Sequence, residues 1–117
     1  MYRSFFYVSP SNRSPVKEFF DSMNTGTRDK FGFVRELLEE YGFRLKQPYV
    51  KYLGKNIFEL RFSGKEGAIR VLYFFVYERS ICFTNGFVKK TEKTPMNEIE
   101  AAVFRRAEYL SREKGEQ

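Results

Sequence analysis

Phe87-Val88-Lys89-Lys90-Thr91-Glu92-Lys93-Thr94-Pro95 is the stretch at which this chain changes period. Upstream of it, aromatic and aliphatic residues alternate with polar ones as they do in strands. Downstream, they recur at the spacing of one amphipathic helix. Thr94 offers a hydroxyl N-cap and Pro95 suits the first helical position, so the spacing predicts a helix start here. Lys89, Lys90 and Lys93 gather at this strand-to-helix corner, beside the positive end of the helix. Such a corner attracts phosphate or carboxylate; the plain alternative is a solvated basic turn.

Working back from the corner, Ile81 to about Val88 and Ala68 to Tyr77 read as strands, separated by Glu78-Arg79-Ser80. Ile57 to Phe62 alternates cleanly, with Phe58, Leu60 and Phe62 on one face and Ile57, Glu59 and Arg61 on the other. The glycine-bounded turn Ser63 to Gly67 then sets a register: Phe58 opposite Tyr73, Leu60 opposite Val71, Phe62 opposite Ile69. That register places Glu59 opposite Leu72 and Arg61 directly opposite Arg70. Two arginines as cross-strand neighbours are unfavourable unless an anion shares them. They are also the side chains best shaped to grip a phosphate with two hydrogen bonds each. Pairing with Glu59 or escape to solvent is the competing reading.

Pro48 excludes helix, Tyr49 to Leu53 reads as a further strand, and Gly54-Lys55-Asn56 interrupts it as a bulge or turn. At the start of the chain, Tyr2 to Val8 reads as a strand. Ser14-Pro15 then opens a short helix carrying Val16, Phe19, Phe20 and Met23 to about Asn24. Thr27 is the expected cap of a second helix, striped by Phe31, Val34, Leu38 and Tyr41, with Gly42 as its stop. The two helices form a hairpin. With no repeat, low-complexity segment or linker, residues 1–117 read as one domain.

With 117 residues, 42% of them apolar and 14 Phe and 8 Tyr, the chain can build a packed core without a disulfide or metal. Cys82 stands alone inside an apolar run and reads as a small buried hydrophobe. The first residues are too short an apolar run for a secretory leader and no stretch is long enough to span a membrane, so the expectation is cytoplasmic. The net charge of +6 is concentrated. Residues 44–70 carry seven cations against Glu59 and Glu66, whereas residues 1–43 balance six against six. A concentrated basic patch points to a polyanion, most often nucleic acid, although an acidic protein partner fits as well.

The sequence contains no histidine, which excludes Ser-His-Asp, Cys-His and histidine-assisted nuclease chemistry. No metal site or other cofactor is expected, since Cys82 is isolated and the strands hold no carboxylate cluster. Gly64-Lys65-Glu66-Gly67 is a hairpin turn rather than a phosphate cradle between strand and helix. What remains is metal-free phosphoryl transfer on RNA, in which the 2′-hydroxyl attacks its own phosphodiester. There the enzyme aligns the nucleotide and neutralises charge building on the phosphorane. Arginines and lysines supply the charge; a carboxylate, a lysine of lowered pKa or a tyrosine moves protons. Glu59 is the best-placed base by pattern, although an ion pair with Arg61 would weaken it in that role. Exposed aromatics, Phe87 among the candidates, offer stacking surfaces for splayed bases.

The blocks Phe58-Glu59-Leu60-Arg61, Ile69 to Phe74, Asn85-Gly86-Phe87 through Thr94-Pro95, and Glu98-Ile99-Glu100-Ala101-Ala102, in that order, resemble the phage-derived, HigB-like branch of the RelE toxin superfamily. The resemblance runs from about Ser14 to Leu110. It implies an α+β fold, a curved antiparallel sheet of about four strands packed against an N-terminal helical hairpin, with a C-terminal helix. It further implies a ribosome-dependent endonuclease toxin that cuts messenger RNA on the ribosome and is held in check by a helix-turn-helix antitoxin. Matched position by position, Arg61, Arg70, Lys89, Lys90 and Lys93-Thr94-Pro95 carry over, Arg61 and Arg70 to the scissile phosphate and Lys89 and Lys90 to the phosphate or leaving group. Beside them stand Glu59 as base by its pattern, and Lys55, Lys93, Asn85 and Phe87 as RNA-binding candidates. Asn85 stands where this branch often has a histidine, and an asparagine cannot titrate. A non-catalytic RNA or ribosome binder of the same fold, and a module that holds an acidic protein, are the alternatives.

Overall fold

The computed structural model describes residues 1–115. The elements run β1 (Arg3–Phe6), α1 (Pro15–Asp21), α2 (Thr25–Tyr41), β2 (Val50–Gly54), β3 (Ile57–Gly64), β4 (Gly67–Val76), β5 (Ser80–Lys89) and α3 (Met96–Gly115), with a 3-10 turn at Gly42–Arg44. The class is α+β, and the expected sheet needs one correction: it has five strands and is mixed. β2, β3, β4 and β5 form an antiparallel meander, and β1 adds to β5 in parallel, giving the order β1-β5-β4-β3-β2. A parallel neighbour needs a long crossover, and here residues 7–79 lie between the two strands. Local periodicity carries no sign of that pairing.

The expected β3–β4 register holds at every pair, including Arg61 opposite Arg70. It holds because its determinants are local: period-two alternation and a two-residue turn closed by the Gly64–Gly67 pair. The β2–β3 turn at Lys55-Asn56 has φ of 53° and 66°, the geometry of a tight hairpin turn. β5 departs from the clean strand expected. Tyr73 pairs with Phe83 but Leu72 pairs with Asn85, so Thr84 is an extra residue, a β-bulge. Alternation resumes one step out of phase. Ile81 and Phe83 face one side of the sheet, whereas Asn85, Phe87 and Lys89 face the other.

Each face has its own core. Under α1 and α2, Val16, Phe20, Phe31, Val34 and Leu38 pack onto Leu60, Phe62, Ile69, Val71, Tyr73, Ile81 and Phe83. Under α3, Ile57, Leu72, Phe74, Cys82 and Phe87 meet Tyr7 and Ala102. Ser14 caps α1 as expected, its hydroxyl accepting from the Lys17 amide at 3.3 Å. The cap of α2 is Asn24, whose Oδ1 accepts from Gly26 at 2.9 Å; the hydroxyl of Thr27 instead donates to Glu66 at 2.5 Å. Gly42 stops α2 with φ of 53°, and a Cβ there would lie 1.9 Å from the Tyr2 ring. Glycine is required at that position on both counts.

Candidate functional site

α3 begins one residue later than the sequence suggests, with Pro95 rather than Thr94 supplying the first carbonyl to the helix: Glu98 and Ile99 donate to it at 3.1 and 3.3 Å. Thr94 is thereby released for another contact. Its hydroxyl donates to Oε2 of Glu59 on β3, tying the helix start to the sheet. Asn85 makes a second tie, its Nδ2 donating to the Glu98 carboxylate at 2.9 Å and to the Glu98 carbonyl at 3.2 Å. Beyond these ties, the end of the sheet that carries Arg61, Arg70 and Lys89 has no helix above it.

Glu59 is the hub of this end. It is wholly buried, and its Oε1 lies 3.6 Å from the Nε of Arg61 and 3.7 Å from the Nε of Arg70. One carboxylate thus serves both arginines, which is how the like-charged cross-strand pair is tolerated. All three atoms are buried, and none completes a hydrogen bond. The Arg61 side chain nevertheless keeps 27% of its surface exposed, which must come from atoms other than Nε. Arg70 donates through Nη1 to the Ile69 carbonyl at 2.9 Å. At the β3 edge the two arginines also border a cavity of about 410 Å³ whose other lining (Lys30, Val34, Pro48, Tyr49, Phe62 and Ser63) includes the α2 side of the sheet.

Lys89 belongs to the same cluster. Burial first, then the positive charges of Arg70 and Arg61, pull its ammonium below the ordinary lysine value, while Glu59 opposes them. Arg70 is likewise lowered, by burial and then by Arg61. Lys51, directly across from Glu59 on β2, adds to the same field.

The remaining expected residues are less concentrated. Lys90 stands one residue beyond β5 and is exposed, so alternation turns it off the face that carries Lys89. Lys93 is exposed in the following loop, where the Thr91 hydroxyl donates to its carbonyl at 2.7 Å. Lys55 sits at the opposite end of the hairpin, about 13 Å of strand away from Arg61. Phe87, 8% exposed, packs in the core under α3 and offers little surface to a base. Asn85, 4% exposed, is committed to Glu98. Sequence reasoning missed Lys30, Lys51 and Thr94. Lys51 was not legible from the turn: pairing onward from Gly54 and Ile57 without a break would set it opposite Leu60, and the bulge between Tyr52 and Gly54 brings it opposite Glu59. The other two come from distant elements, and no local pattern marks them.

The family model for phage-derived Gp49-like proteins (DUF891) matches residues 18–107, which include every residue of this cluster. The chain belongs to that family. Gp49-like proteins are RelE-like and toxin-like, and membership implies an antitoxin partner. No curated protein is significantly similar to the chain. Among the described residues of this Gp49-like protein, no helix is long and apolar enough to cross a membrane. None of its groups of His, Cys, Asp or Glu among those residues is arranged to hold a metal ion.

Proposed function

We propose that this Gp49-like protein is the toxin of a type II toxin–antitoxin pair, a single HigB-like domain. It works in the cytoplasm and cleaves messenger RNA on the ribosome by 2′-hydroxyl attack. The observation that carries this reading is the pair of opposed arginines held through their Nε atoms by one buried carboxylate, beside an open cavity. Held this way, the guanidinium ends are pre-aimed and lose little freedom on gripping a phosphate. Glu59, with no exposed surface, positions the arginines rather than taking the substrate proton. As the 2′-oxygen bonds to phosphorus its proton passes to solvent water, and as the bond from phosphorus to the 5′-oxygen breaks, Lys89, which stabilises the phosphorane and whose ammonium is already pulled down, gives its proton to that oxygen. Lys51, Lys90 and Lys93 hold flanking backbone. The antitoxin covers this basic end.

Induction of the chain in growing cells, with primer extension on ribosome-bound messenger, tests the reading. Growth arrest and discrete cleavage ends are expected, and Arg61→Ala with Arg70→Ala removes both. Unchanged arrest and cleavage in that double variant would overturn the site. Because the ammonium of Lys89 is the active form, turnover falls as pH rises through its lowered value; Lys89→Arg loses the alkaline fall along with most of the rate. The position of Asn85 supports a second reading, since an amide committed to Glu98 cannot shuttle protons. On that reading the same site binds RNA with a steep salt dependence and yields no cleavage ends.

A further inference from the structure

On the α2 side of the sheet, beyond the end of that helix, lies an aromatic surface that plays no part in the proposed cleavage. Phe43 stacks on Phe75 with ring centroids 3.8 Å apart, and Tyr52 leans on Phe58 at 4.8 Å. Rings with one face buried and the other open are stacking platforms, and Phe43 is 61% and Tyr52 54% exposed. Tyr52 is held in place, its hydroxyl accepting from the Asn56 amide at 3.1 Å. These residues and Arg106 of α3 line a cavity of about 400 Å³. The Nε of Arg106 is buried without a hydrogen-bond partner, and its guanidinium lies 5.8 Å from the centre of the Phe74 ring on the α3 side.

Charge says what the cavity takes. Between Tyr41 and Phe58 the chain carries Arg44, Lys46, Lys51 and Lys55 and no acidic residue. Lys51 faces Glu59, but Arg44, Lys46 and Lys55 form no ion pair among the described residues, and open rings among such cations are the composition of a single-strand nucleic-acid surface, where bases stack and the backbone is neutralised. The cavity lies toward the hairpin turn, where Asn56 lines it, about 10 Å of strand from Arg61 as measured to Phe58. Lys51 and Tyr52 are consecutive on the edge strand, Lys51 beside Glu59 on one face and Tyr52 beside Phe58 on the other. A strand leaving Arg61 and Arg70 reaches Phe43 by crossing the β2 edge and running that distance along the hairpin.

We propose that this cavity receives a nucleobase of the RNA strand whose phosphate lies at Arg61 and Arg70, stacked on Phe43 and Tyr52 with Arg106 at its edge. The inference rests on the RNA reading above. Its test is binding of a short oligoadenylate, made uncleavable by 2′-deoxy substitution, and of the same strand with abasic positions, followed by fluorescence anisotropy. Stacking predicts that Phe43→Ala with Tyr52→Ala weakens the intact strand about tenfold or more, and that abasic positions cost the native protein similarly but the double variant little. Both side chains are more than half exposed, so an unchanged thermal melt is expected to show the variant folded. If the double variant binds like the native protein while Arg61→Ala with Arg70→Ala binds weakly, the cavity assignment falls and the arginine site stands. If the native protein binds neither strand, both fall. If an acidic tyrosine-containing peptide binds in a Phe43-dependent way and RNA does not, the surface docks a protein and the inference is overturned.

Discussion

The two faces of the sheet are built from the same alternating strands, yet one is dry from end to end of its helical cover and the other turns ionic at one end. Two helices lie over the first face, so every inward position between them is apolar: Leu60, Phe62, Ile69 and Val71 have little or no exposed surface. A single helix covers the second. Where α3 starts, the inward positions change from Ile57 and Leu72 to Glu59, Arg61 and Arg70 within a few ångströms. Burial of charge is tolerated there because the wholly buried Glu59 faces both arginines, which each keep part of their surface open. The larger apolar core thus lies on the α1–α2 face, and the ionic cluster of Glu59, Arg61 and Arg70 on the other.

The contrast is most severely tested by neighbours on β3. Leu60→Ala is expected to cost about 2–5 kcal/mol in urea unfolding, through the cavity it leaves. Arg61→Ala, one residue on, should cost under about 1 kcal/mol because Arg70 stays on Glu59, and yet lower cleavage by about 10²–10³. Equal stability losses at the two positions would break the contrast.

A smaller effect probes space. A Cβ on Gly86 would stand 2.7 Å from the Phe19 ring, so Gly86→Ala should push on α1 and cost about 1–3 kcal/mol. Ser63→Ala, exposed at the open end, should stay within about 0.5 kcal/mol. Thermal melts of the two variants compare them directly.

Smaller again is the expected effect of Glu59→Gln, which keeps a partner for Thr94 but leaves the arginines facing each other without an anion. RNA affinity should rise and turnover fall about tenfold, since binding remains but alignment loosens. A much larger loss of turnover at unchanged affinity would instead make Glu59 the base.

Least disturbing is alkylation at Cys82, whose thiol is pushed up to about 12, chiefly by burial under α3. At pH 8 it is therefore a buried thiol rather than a thiolate, and iodoacetamide should label it only in denaturant. Labelling of the native protein would show that the face under α3 opens.

Much of the fold was legible from neighbouring residues. The Ser14-Pro15 start, the Phe31-Val34-Leu38 stripe and the Gly42 stop name α1 and α2 from spacing alone. The β3–β4 register follows from alternation and one short turn, and those two local features are enough to bring Arg61 and Arg70 together. The candidate site was half legible for the same reason: residues on adjacent strands of one hairpin were found. Thr94, which reaches it from the start of α3, was not, nor was Lys30 of α2, which borders the cavity at the β3 edge. Lys55 was drawn in by charge alone and lies at the turn end of the hairpin, away from the arginines.

By itself, then, the sequence determined helices α1 and α2, the pairing of β3 with β4 and the excess of positive charge near that pair, because each depends on residues a few positions apart. Tertiary structure decided which face Lys89 joins. Ile81 and Phe83 must fill the core under α1 and α2, while Phe87 must fill the one under α3, and a strand of strict period two cannot satisfy both. The bulge at Thr84 resolves the conflict. Its hydroxyl donates to the Leu72 carbonyl at 3.3 Å, and its own carbonyl accepts from Arg105 of α3 at 3.3 Å. That added residue swings Lys89 onto the face of Arg61 and Arg70. No local pattern around Thr84 announces it, since the demand comes from helices on opposite sides of the sheet.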